Sequence, residues 1–143
     1  MGKTAQDRRL SVKRKRQDEF SRSVNGATFT PFRHDLARSE EFKNLSPTAV
    51  KVFTILLGQY NGKNNGDLSA PLTQSKEVFN LSNKSLLKGV NELIKYEFIE
   101  LTRQGGKNQC NLYALTCLPI NSLRSKIDLI PSQRPSDKWK KAN

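Results

Sequence analysis

The stretch that most constrains this chain is residues 83–118, NKSLLKGVNELIKYEFIELTRQGGKNQCNLYALTCL. It opens with helical periodicity. Leu86, Leu87, Val90, Leu93 and Ile94 occupy one broad face, and Ser82 stands where an N-cap belongs. It then changes period at once. Phe98–Arg103 and Cys110–Leu118 are rich in β-formers, and QGGKN between them supplies hairpin glycines. Gly89 inside the helix costs roughly 1 kcal/mol relative to alanine, which a close approach of a neighbouring helix would explain.

The upstream residues read as further helices. In SPTAVKVFTILLGQY (46–60), Ser46 is a good N-cap and Pro47 suits the first helical position. Val50, Phe53, Ile55, Leu56, Leu57 and Tyr60 make this segment apolar on more than half its circumference, so it should be central. YNGKNNGDLS (60–69) breaks it with Asn-Gly pairs that tolerate positive φ, and Leu68 can form one short strand. Residues 70–80, APLTQSKEVFN, read as a second helix with Leu72, Val78 and Phe79 inward. Before these, Phe29, Phe32, Leu36, Phe42 and Leu45 are spaced to lean on a core, with a short helix expected over His34–Lys43.

The order is helix, short strand, helix, tight turn, helix, strand, glycine-rich loop, strand. This predicts an α+β fold, a winged helix-turn-helix: a three-helix core plus a small antiparallel β-hairpin wing. Its apolar residues thicken between Phe29 and Ile120, so the expected division is a basic N-terminal tail (1–27), the domain (28–120) and a basic C-terminal tail (121–143). The formal net charge is +12. Residues 1–25 carry 8 basic and 3 acidic side chains, and residues 121–143 carry 6 and 2. Low apolar content and like charge predict disordered, solvated tails, the first of them able to form a short basic helix on a partner, and both favouring polyanions, nucleic acid first and an acidic membrane surface second.

The segments LSPTAVKVFTILLGQYNGKNNGDLS and LTRQGGKNQCNLYALT, with Ser39, Phe42, Leu45 and Ser46 ahead of the first helix, resemble small winged-helix proteins of bacterial plasmids, phages and their relatives, including an YNGxNNG loop. The resemblance spans about residues 28–120. It implies the fold and DNA binding and names no target.

The third helix carries the main candidates. Its N-terminal residues Asn83, Lys84, Ser85 and Lys88 are those that reach base edges when a helix enters a major groove. Asn pairs with adenine and Lys with guanine. Asn91 lies one turn on, and Lys95 is placed for phosphate. A solvated polar face is the alternative. Arg103, Gln104, Lys107 and Asn108 belong to the wing, which either lies on the minor groove or backbone or is an ordinary hairpin tip. Lys63 in the Asn/Gly loop either joins a phosphate-binding backbone nest or decorates a plain chain reversal. RRLSVKRKR near the N-terminus can track phosphates, and Trp139 in RPSDKWKK can stack on a base, dock a partner or stay idle.

Several classes are disfavoured. No apolar run approaches the ~18 residues of a membrane span, and no apolar segment follows the basic N-terminus as in a secretory signal. Cys110 and Cys117, with one histidine, make no zinc site, and their spacing on a strand argues against a disulfide. His34 has no base or nucleophile near it in sequence. No cofactor, metal or catalytic residue is expected, and the chain reads as a non-enzyme of the cytoplasm, nucleoid-associated. The expected partner is double-stranded DNA, bound by a monomer or homodimer, in transcriptional regulation or replication control of a mobile element with other regulatory or replication proteins. Two rivals stand beside it: a protein–protein adaptor tethered by its basic tails, and a non-specific nucleic-acid or nucleoid-associated protein that binds through the tails alone.

Overall fold

In the computed structural model, residues 2–123 and 130–141 are described. They form a mixed α+β structure with six α-helices: α1 (Ala5–Ser23), α2 (His34–Ala37), α3 (Glu40–Lys43), α4 (Pro47–Gln59), α5 (Ser75–Phe79) and α6 (Asn83–Lys95). Two strands, β1 (Ile99–Arg103) and β2 (Leu112–Leu115), pair antiparallel. Leu68 adds a one-residue bridge to Tyr113.

The central helix forms as its sequence requires. Ser46 Oγ accepts the Ala49 amide, and Ala49, Val52, Phe53, Leu56 and Leu57 are buried. α6 crosses it at Gly89, where an added Cβ would lie 2.9 Å from Val52 Cγ2. The glycine therefore exchanges helix propensity for contact. Glu92 of α6 also reaches Ser46, accepting from its amide (3.0 Å) and its hydroxyl (2.9 Å). A capping box normally draws this carboxylate from the same helix. Here it comes from a neighbour, so one interaction caps α4 and fixes its crossing of α6.

The Asn/Gly loop closes on itself and on the sheet. Asn64 Oδ1 accepts the Asn61 amide and Asn61 Oδ1 the Lys63 amide. Asn65 is fully buried. Its Nδ2 donates to the carbonyls of Leu115, Leu118 and Pro119, and its Oδ1 accepts from the Leu115 amide. Gly62 and Gly66 have φ of 96° and 117°. The loop is thus a chain reversal in which Asn64 and Asn65 turn inward while Asn61 and Lys63 stay exposed. A buried amide this well satisfied locks the loop to the end of β2.

Several expectations change. The segment 34–43 is two short helices, because Ser39 caps the second through the Phe42 amide. Only residues 75–79 of the second helix are α-helical, after a 3₁₀ turn over Leu72–Gln74. Leu72, Val78, Leu87 and Ile94, placed inward by periodicity, are exposed. α5 is too short to cover a wide stripe, and the α6 face is wider than the surface packed on it. Phe29 is 66% exposed, edge-on to Phe20 at 4.8 Å. Both cysteines are free thiols; Cys117 is buried, and burial raises its pKa to about 11.

The tails depart furthest. Most of the N-terminal tail is helix α1, capped reciprocally by Thr4 and Asp7, yet it buries no residue. The C-terminal segment returns to the core. Trp139 is 3% exposed and stacks on Phe98, with centroids 6.1 Å apart and planes at 16°. Arg33 donates to Asp137 at 2.6 Å and to the Cys117 carbonyl at 3.0 Å, and the Asp137 amide donates to Thr116 O. Lys138 pairs with Glu100 at 2.7 Å. The domain therefore extends past residue 120 to include this strap. Burying one indole is worth about 3 kcal/mol or more, and the Arg33–Asp137 and Lys138–Glu100 pairs add to it in holding the segment against its entropy. Residues 124–129 and 142–143 of the expected tail lie outside the described residues.

Candidate nucleic-acid interface

α6 begins at the Ser82 cap, whose Oγ accepts the Ser85 amide. Leu86, Gly89, Val90 and Leu93 bury one side of the helix. At about 100° per residue, Lys84, Lys88, Asn91 and Lys95 fall within roughly 60° of one another, on the side opposite that core. All four are exposed. Lys95 Nζ sits 5.4 Å from the Tyr96 ring, which fixes the cation at the helix end.

The β1–β2 hairpin faces α6 across a groove. Leu87 and Val90 of α6 share one open groove with Pro71, Leu72, Gly105, Gly106 and Asn108. On the helix wheel Asn91 lies about 40° beyond Leu87, and Lys84, Lys95 and Lys88 follow at about 60°, 80° and 100°, so the stripe runs on from the groove's edge. At the wing tip, Gly106 and Gln109 exchange backbone hydrogen bonds of 3.1 and 3.2 Å around Lys107 and Asn108. Asn108 has φ of 62°. Gly105 is irreplaceable for space: a Cβ there would lie 2.5 Å from the Gln109 carbonyl oxygen. Gln104, Lys107 and Asn108 are exposed.

Three predicted residues have additional or different work. The Asn83 Oδ1 accepts from Ser75 Oγ, bracing the α5–α6 turn. Its amide NH₂ is a donor suited to phosphate or guanine, whereas a two-point match to adenine also needs the carbonyl. Ser85 Oγ accepts from Ser82 Oγ at 3.0 Å. Arg103 is half-buried, with Nη2 donating to the Cys110 carbonyl at 3.1 Å and Nε enclosed without a partner among the described residues. It braces the wing from within rather than standing out from it.

Lys63 is exposed but separate. Its neighbours Asn61 and Gly62 line a recess with Thr28–Pro31 and the end of α4, not the α6–wing groove. Of the predicted residues, Asn108 lines the groove and Lys107 sits at the hairpin tip beside it, Lys84, Lys88, Asn91 and Lys95 share one exposed strip of α6, and Lys63 lies elsewhere. Sequence reasoning missed Arg33, which orders the strap. Its carboxylate partners are 2 and 104 residues away, so only Asp35 was near enough to suggest a pair. Arg33 lowers the Asp35 pKa to about 2, chiefly by hydrogen bonding. Burial alone would raise the Asp137 carboxyl, but the hydrogen bond and charge of Arg33 outweigh it and hold the pKa low.

No helix among the described residues is long and apolar enough to cross a membrane, and those residues hold no cluster of three or more metal-ligating side chains. No family model matches the chain, and no curated protein matches it. A solved structure described as the N-terminal domain of DNA binding protein is similar over 75% of this chain and 85% of its own, at 18% identity and a TM-score of 0.47.

Proposed function

We propose that this protein is a winged helix-turn-helix module that binds double-stranded DNA, with α6 in the major groove and the wing against the backbone or minor groove. The observation that carries the reading is the cationic stripe of α6, turned away from the core and bordering a groove whose far wall is the wing. Desolvation costs such a surface little, and several kT of positive potential draws in a polyanion. Lys84 and Lys88 at the start of the helix are the base-reading candidates; Lys95 and Lys107 suit phosphates. Its job, on this reading, is non-catalytic: transcriptional regulation or replication control on a mobile element. A two-fold site is expected if the domain binds as a dimer.

The test is selection of bound duplexes from a random pool at moderate salt, with wild type and a Lys84→Ala/Lys88→Ala variant. A motif enriched by the wild type and lost in the variant is the expected result. Exposed Leu72 and Leu87 on the groove floor favour the adaptor as a second reading. It would take over if the wild type enriched no motif and retained no duplex.

A further inference from the structure

Helix α1 has 19 residues and buries none of them. Seven are basic and three acidic. Their arrangement is not even. Arg8, Arg9, Val12, Lys13 and Arg16 share one side of the helix, with four cations around a single small apolar residue. Lys3, Asp7, Leu10, Ser11, Arg14, Lys15 and Asp18 share another side, where two of the three acids partly neutralise the cations. Glu19 lies within the same angular arc as the cations, one turn beyond Arg16 at the end of the helix.

Helices in proteins draw most of their stability from a packed face, which α1 lacks. Here Arg9 and Lys13 (i, i+4) and Lys13 and Arg16 (i, i+3) set like charges side by side, which costs a few tenths of a kcal/mol per pair. The helix is held only locally, by the Thr4–Asp7 box at its start and the Phe20–Phe29 contact near its end. A polyanion laid along the cationic side would turn repulsion into attraction.

We propose that the Arg8/Arg9/Lys13/Arg16 side of α1 is a second, sequence-independent contact to the phosphate backbone of duplex DNA, outside the α6–wing groove. This rests on the DNA-binding reading of α6 and deepens it. Charge decides between a duplex and an anionic membrane. An interfacial membrane helix needs a continuous apolar face. Val12 is the one apolar residue among the four cations, Leu10 is on the other side, and Phe20 is engaged with Phe29. Guanidinium groups suit phosphate oxygens by two-point hydrogen bonding, and three of these four cations are arginines.

The test compares two full-length variants with the same loss of charge: Arg9→Gln/Lys13→Gln/Arg16→Gln and Lys3→Gln/Arg14→Gln/Lys15→Gln. All six positions are exposed, so neither set disturbs the core. Binding to a labelled duplex is titrated against salt by anisotropy. The first variant should flatten the log K–log salt slope by about 2.7, at about 0.9 per lost phosphate contact, equally on any duplex sequence; the second should change it by less than about 1. Helix content by circular dichroism should rise when duplex is added to wild type, and less so in the first variant. Equal slopes in the two variants would reduce α1 to bulk charge and overturn the proposal. So would loss of binding to phosphatidylserine-containing vesicles by the first variant with its duplex slope unchanged, which would assign the surface to membranes. If the wild type binds no duplex at any salt, the α6 reading fails as well; a wild type that binds with a slope untouched by the first variant fails only this one.

Discussion

Trp139 offers the sharpest test of how this fold is closed. It is the only tryptophan, so its emission reports one site. The indole is almost wholly buried and stacks on Phe98, itself in contact with Phe53 and Phe42. Arg33 lies 6.0 Å from its ring. Trp139→Ala removes a buried aromatic, at about 3–5 kcal/mol. Stacking, worth about 0.5–1.5 kcal/mol, is within that figure and not added to it. The stability expected for a domain of this size is about 5–15 kcal/mol, so about a fifth or more would go. The melting temperature should fall by at least about 12 °C at 4 °C per kcal/mol. Trp139→Phe keeps a ring against Phe98 and should lose under half as much. The assay is urea denaturation followed by circular dichroism for both variants, with tryptophan emission for the wild type. The wild-type indole should show the short-wavelength emission of a buried ring and shift in step with the circular dichroism. If Trp139→Ala melts within about 3 °C of wild type, or the emission is that of a solvated indole, the C-terminal strap is not part of the core.

Other outcomes follow from the same contacts. Gly89→Ala should destabilise despite better helix propensity, because Val52 is β-branched, buried and cannot turn aside; in a Val52→Ala background the same change should become favourable by up to about 1 kcal/mol, as a double-mutant cycle in urea would show. Asn65→Ala strands the Leu115 amide and up to three carbonyls and should cost about 3 kcal/mol or more in the same assay. Asp35 and Asp137 have folded-state pKa values below their unfolded ones, so their stabilisation is complete above about pH 4 and is lost as pH falls through the folded values, toward about 2 for Asp35. Acid titration of Trp139 emission should therefore show the strap loosening below pH ~4, and Arg33→Gln should remove most of that pH dependence. Gly105→Ala should distort the hairpin and weaken duplex binding while leaving the unfolding free energy from urea denaturation within about 1 kcal/mol of wild type; unchanged binding would remove the hairpin from the interface.

Much of the scaffold was legible because its signals are local. Ser46 and Ser82 cap the helices that follow them, Gly89 marks a close crossing, and QGGKN (104–108) lies in the hairpin turn, although the second strand is Leu112–Leu115 and not the whole of Cys110–Leu118. These features depend on neighbours within a turn or so of the chain. The lysine stripe was legible for the same reason, since a helix places Lys84, Lys88, Asn91 and Lys95 by spacing alone. Periodicity misplaced Leu72, Val78, Leu87 and Ile94, because it gives the width of an apolar face and not the width of what covers it. Arg103 was read outward for want of any sign that the wing would fold over it.

By itself the sequence determined the helix caps, the turns, the hairpin and which residues share a face, because backbone preference and side-chain period act over a few residues. Only the tertiary structure decided that Trp139 is core and not tail, that Arg33 joins residue 35 to residue 137, and that a carboxylate on α6 caps α4. Those contacts join residues tens to a hundred positions apart, and their energies exist only once the chain has brought the partners together and excluded water between them.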